Sequence, residues 1–110
     1  MRLGVTTRFA DQPENPAKAL NLCQHIVNAF NIVNGMVVER SQQGKVVASE
    51  TTQWASFRDL KNKLFYFQTY ENLDLRKVDL GKLDFNADKV KFISMEGDAQ
   101  SVKDVTGTAK

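Results

Sequence analysis

The stretch that most constrains the fold is Lys63 to Tyr70, where an extended segment is apolar on both of its sides. Leu64, Tyr66 and Tyr70 share one parity; Phe65 and Phe67 share the other. Successive side chains of a strand point to opposite faces. A strand apolar on both faces is normally covered on both. Upstream, residues 52–58 form the other arm of a hairpin, with Asp59 to Asn62 as its polar turn. Asp and Asn suit a turn because their side chains hydrogen-bond nearby backbone. Six of the ten Phe, Trp and Tyr residues fall between Thr51 and Asn72, and aromatics pair well across strands.

The remaining chain must supply layers for this hairpin. Met1 to Glu14 reads as irregular, with Gly4 and Pro13 as breakers and only Leu3, Val5 and Phe9 able to pack. Asn15-Pro16 opens a helix, Asn as N-cap and Pro at the first helical position. Ala19, Leu20, Cys23, Ile26, Val27 and Phe30 recur at helical spacing, opposite Lys18, Asn21, His25 and Asn28. The helix is expected to end near Asn31, stopped by Asn34-Gly35. Met36-Val37-Val38 is a short extended piece, Glu39 to Gly44 a polar loop, and Val46-Val47 a lead into the first arm. Leu75 to Leu80 reads as a third strand ended by Gly81, and residues 83–86 as a turn. Lys89 to Ile93 reads as a lysine-bearing edge strand, and from Gly97 the chain is small, polar and frayed. The class is therefore α+β: one amphipathic helix followed by an antiparallel meander. One apolar stripe covers one sheet face, so the other is left for a partner.

Bulk composition narrows the function. At 110 residues the chain has the length of one domain, or a piece of one. A net charge of +2, with its basic residues scattered, argues against nucleic-acid binding. No apolar run reaches membrane-span length, and Met1-Arg2-Leu3-Gly4 lacks a signal-peptide core. The compartment stays open. A single cysteine excludes an internal disulfide.

Candidate chemistry is thin. Cys23 and His25 are two apart on a helix and face different ways. Cys23 lies on the apolar stripe, so it is expected to be buried and inert, with Cys23→Ser costing on the order of 1–3 kcal/mol. One His and one Cys argue against zinc. Asp59, Asp74, Asp79 and Asp84 are spaced for turns and surface rather than for a carboxylate pair. Gly44-Lys45 and Gly81-Lys82 lack a phosphate-loop context. Trp54 and Tyr66 are core aromatics, or else line a ligand pocket. No catalytic residue, metal ligand or cofactor site emerges, and no substrate-binding residue can be named.

Several runs resemble a known family: Thr52-Gln53-Trp54, Asp59-Leu60-Lys61-Asn62-Lys63, Tyr66-Phe67, Thr69-Tyr70-Glu71-Asn72 and Val78-Asp79-Leu80. They are similar to the C-terminal part of the choloylglycine hydrolases, linear-amide C–N hydrolases that include bile salt hydrolases and penicillin V acylases. The resemblance spans about residues 15–95 and includes the helix opened by Asn15-Pro16-Ala17-Lys18-Ala19-Leu20. It implies part of an N-terminal-nucleophile αββα sandwich, two sheets between helical layers. It also implies a nucleophilic cysteine made N-terminal by processing, whose own α-amine handles the proton. Met1-Arg2 does not offer that residue, and the family's catalytic Asp and Asn positions fall upstream. Lys18 stands near a family arginine, and lysine lacks its forked donor. The resemblance thus implies a hydrolase fragment, inactive alone, that joins a missing N-terminal half and meets an amide substrate only in that context. The alternative is a non-catalytic module that self-associates through an uncovered sheet face. A truncated reading frame without its own function is a third reading.

Overall fold

The computed structural model describes residues 2–97 and 99–108, and the side chains of Arg2, Leu3 and Val5 lie outside that description. The chain divides into two compact units, Met1–Gln53 and Trp54–Lys110.

The first unit opens with α1 (Arg2–Phe9), where the sequence reads as irregular. Neither breaker acts there. Pro13 lies beyond the helix, and Gly4 inside it carries only a propensity cost, about 1 kcal/mol. The ladder continues into Ala10, whose N–H donates to the Thr6 carbonyl at 3.0 Å. Then comes α2 (Pro16–Asn28), started as expected: the Asn15 side chain accepts from the Lys18 N–H at 2.9 Å. It ends earlier than Asn31. Phe30 N–H donates to Val27 and Asn31 N–H to Asn28, three-residue closures that tighten and finish the last turn. Asn34-Gly35 does not cap the helix. Gly35, at φ +83°, instead sits in a turn closed by Met36 N–H to the Val33 carbonyl.

A hairpin of its own follows. β1 (Val37–Arg40) pairs antiparallel with β2 (Val46–Glu50), with a register shift between Glu39 and Arg40. The sequence reading had merged β2 with the next hairpin. Gly44 decides otherwise: at φ +79° it closes the loop, and Ser41 N–H donates to the Lys45 carbonyl at 2.8 Å. Thr51 and Thr52 are then not strand. They are tied to Ile32, Thr52 N–H to its carbonyl at 3.1 Å and Ile32 N–H to Thr52 Oγ1 at 2.9 Å.

The second unit is a three-stranded antiparallel sheet in the order β3 (Trp54–Asp59), β4 (Leu64–Thr69), β5 (Arg76–Asp79). The register pairs Trp54 with Thr69, Phe57 with Tyr66, Phe65 with Val78 and Phe67 with Arg76. Its core is Ala55, Phe57 and Phe67, the last only 4% exposed. A one-turn 3-10 helix (Leu80–Lys82) follows β5, so Gly81 does not simply end the strand. Residues 83–86 turn as expected, Asn86 N–H donating to Asp84 Oδ1.

Two expectations about the end of the chain fail. Lys89 to Ile93 alternates but forms no strand, and Phe92 is 91% exposed. Alternation marks a residue's side, not the presence of a neighbour to pair with. The segment is instead drawn over the sheet, because Arg76 donates to the Met95 carbonyl. Nor is the tail beyond Gly97 simply frayed: Ser101 N–H donates to Asp74 Oδ2 at 2.7 Å, and residues 106–108 form a short 3-10 turn.

The two-faced strand itself reads correctly, since no residue of β4 is exposed. Over β4 neither face is bare, while over β3 the Phe67 face is open, with Trp54, Ser56 and Arg58 exposed. Phe67 is buried on one face, and Ala55, Phe57 and Gln68 are buried on the other.

α2 also stays open. Ala19, Leu20, Ile26 and Val27 are half-buried, but Cys23 on the stripe and Phe30 just beyond the helix end are exposed. Helical period places a residue on a face without saying what lies opposite. Cys23 is therefore accessible, contrary to the buried reading. It should label with a thiol reagent at close to the rate of a free thiol. Cys23→Ser should leave stability within about 0.5 kcal/mol of the parent, as surface substitutions do. Protection of the native thiol, measured by labelling followed by mass spectrometry, would restore the buried assignment.

Candidate functional site

The most organised polar feature is built on the register of β4 and β5. Phe67 and Arg76 are opposed, so their side chains share a face. The Arg76 guanidinium lies 4.6 Å from the Phe67 ring centroid. One Nη donates to Thr69 Oγ1 at 3.1 Å and the other to the Met95 carbonyl at 2.7 Å. Nε is buried with no hydrogen-bond partner among the described residues. A planar cation with forked donors can stack on a ring while bonding in its own plane, and lysine cannot. Beside it opens a cleft of about 520 Å³ lined by Phe67, Val78, Leu83 and Ile93, with Lys77, Asp79 and Lys82 at its margin. A second cleft of similar size lies by the hairpin turn, between Leu60, Lys63, Leu80 and Phe85.

Neither cleft holds a reactive pair. Cys23 and His25 are exposed on α2 in the other unit, and a helix directs positions two apart to different sides. Each of the four aspartates is occupied, three of them locally. Asp59 accepts from the Asn62 side chain at 2.7 Å and its N–H at 3.0 Å. Asp79 accepts from Gly81 N–H at 3.0 Å and faces Lys82 at 3.8 Å. Asp84 holds the 84–86 turn and Asp74 the Ser101 N–H. Lys18 pairs with Glu14 one turn away on the helix surface. Gly44 and Gly81 serve turns. Among the described residues no group of three or more His, Cys, Asp or Glu could hold a metal ion.

Trp54 and Tyr66 do not line one pocket. They occupy neighbouring strands at opposite parity, so they face opposite sides of the sheet. Trp54 is 59% exposed, which also removes it from the core. Two features escaped the sequence reading. Arg76 carries no mark of its role in the residues alone, because its place opposite an inward Phe depends on the strand register. Asn72, 3% exposed, joins β4 to β5: it exchanges backbone bonds with Thr69, and its Oδ1 accepts from Asp74 N–H at 2.9 Å.

A family model for the linear amide C–N hydrolases of the choloylglycine hydrolase family matches residues 4–93. The chain belongs to the choloylglycine hydrolase family. A solved structure, a mutant conjugated bile acid hydrolase from Clostridium perfringens, is similar with a TM-score of 0.67 at 21% identity. That likeness covers 96% of this chain and 30% of the hydrolase, so the chain spans under a third of that protein's length. No curated protein matches. The α+β fold is accordingly of the N-terminal-nucleophile hydrolase type. Among the described residues no helix is long and apolar enough to cross a membrane.

Two measurements check this geometry. Arg76→Lys should lower stability by about 1–3 kcal/mol, through loss of the stacked, forked donor, in urea unfolding followed by circular dichroism. An unchanged midpoint would show that the Arg76 contacts add nothing to stability. Separately, the Asn62 side chain, and after it the Asn62 N–H, holds the Asp59 carboxyl below the usual carboxylate range. A lowered folded-state pKa stabilises above the unfolded value, near about 3.9, and that contribution is lost as pH falls through the folded value. Asn62→Ala should move the Asp59 titration, followed by NMR, up toward the ordinary range.

Proposed function

We propose that these 110 residues form the scaffold part of an enzyme that hydrolyses the C–N bond of a linear amide. The substrate class is an N-acyl compound such as a conjugated bile acid or penicillin V. The observation that carries this reading is the family match over residues 4–93, which takes in both units. The likeness to a conjugated bile acid hydrolase is consistent with it.

The chain contributes structure rather than chemistry. Amide cleavage needs a nucleophile with a base in reach. The sole thiol, Cys23, lies inside α2, where its own nitrogen is part of a peptide bond and cannot act as a free amine. Its neighbouring imidazole points elsewhere. The nucleophile of a working enzyme therefore comes from polypeptide outside these residues, and the sheet and clefts described here support it. Lys18 sits at the surface beside Glu14.

A second reading is a non-catalytic interaction module. It is favoured by the balance of apolar side chains among the described residues: Ala55, Phe57 and Phe67 are buried, while Trp54, Leu60, Phe85, Val90 and Phe92 are exposed.

Purified chain should release no glycine or taurine from conjugated bile acids and no side-chain acid from penicillin V. Product formation, quantified by mass spectrometry, that disappears in Cys23→Ala would overturn the scaffold reading. Supplying the rest of a related hydrolase should restore turnover that is indifferent to Cys23→Ala.

A further inference from the structure

The two edges of the three-stranded sheet differ. β5 carries Arg76, Lys77 and Asp79 and runs straight into a 3-10 turn, a short and charged edge of the kind that resists pairing. β3 has no proline and no lysine, and it pairs with β4 without any register shift. Among the described residues it joins a strand on one side only.

The hydrogen-bond pattern shows which of its backbone groups look outward. Thr69 donates to the Asn72 carbonyl and accepts from the Asn72 N–H, so its backbone faces the β5 side. In an antiparallel ladder the residue opposite such a position is not bonded to it. That residue is Trp54. The N–H and C=O groups of Trp54, and at steps of two Ser56 and Arg58, therefore point away from β4. The same three side chains are the exposed ones of β3, alternating with buried Ala55 and Phe57.

We propose that this edge pairs with the β3 edge of a second copy of the chain, antiparallel and about a two-fold axis through Ser56. Outward-facing residues must meet outward-facing residues, which excludes every register shifted by one. Two registers keep nearly full overlap. Centred on Phe57, the pairing sets Ala55 against the partner's Asp59 on the buried side. Centred on Ser56, it sets Trp54 against the partner's Arg58, Ser56 against the partner's Ser56, and Arg58 against the partner's Trp54. Each of these three pairs exchanges two backbone bonds. On the exposed face it stacks two guanidiniums on two indoles. On the buried face Ala55 meets the partner's Phe57, small against large. The strand is self-complementary in this register, and the contact is isologous, as two-fold symmetry requires. The two sheets merge into one, edge to edge rather than face to face. The contact is small, so the dimer is reversible. The inference holds whether or not the amide-hydrolase reading does.

Sedimentation of the 110-residue chain over a concentration series should show a monomer–dimer equilibrium. Ser56→Pro should abolish the dimer and keep the far-ultraviolet circular dichroism, because the N–H it removes points away from β4. Trp54→Arg opposes two like charges twice, and Arg58→Trp removes both cations. Each should weaken dimerisation by about tenfold or more. The double variant, Trp54→Arg with Arg58→Trp, restores the pairs in swapped order and should recover most of the affinity. That recovery tests the register even if Ser56→Pro fails to fold. A chain that is monomeric throughout, or a dimer indifferent to these changes, would overturn the proposal. So would a monomer that assembles only when the remaining part of a related hydrolase is added, which would assign the edge to that polypeptide.

Discussion

Arg76 holds the second unit together at a point where three segments meet. Its guanidinium stacks on Phe67 in the central strand, bonds Thr69 at the strand's end and bonds the carbonyl of Met95 nineteen residues on. That bond ties residues 83–95, whose own side chains are mostly exposed, to β5. Phe67 owes its burial to the same arrangement. A charge placed against a ring and given two acceptors keeps interactions that offset its partial loss of water. Much of the unit's organisation thus rests on one partly buried cation rather than on a large apolar core.

Among the described residues few apolar side chains are fully buried. The match to the solved hydrolase takes in nearly all of this chain but 30% of that one. A layered fold shares its core among layers. Cys23 on the α2 stripe, Phe30 just beyond the helix and Trp54 on β3 are exposed. The polar side chains described above serve turns, a helix cap and the contacts of Arg76.

Some of this was legible in the residues. The Asn15-Pro16 start, the hairpin around Asp59 to Asn62, the two-faced β4 and the turn at residues 83–86 all follow from local rules: side chains that bond their own backbone, and a strand period of two. The family resemblance lay in the same hairpin. Local signals also misled where they named a breaker without saying where it acts, as with Gly4 and Pro13. They misled again where alternation at Lys89 to Ile93 suggested a strand that has no neighbour.

The sequence by itself determined which side of its own element each residue occupies, because that depends only on backbone period. It did so for Cys23 on the helix stripe and for Phe65 and Phe67 on β4. Tertiary structure alone decided what stands opposite each side. It left Cys23 open to solvent, set Trp54 outside the core, paired β1 with β2 through the loop at Gly44, and brought Arg76 over Phe67. The reason is that burial is a property of two surfaces. A period fixes one of them, and the other comes from residues far away in the chain.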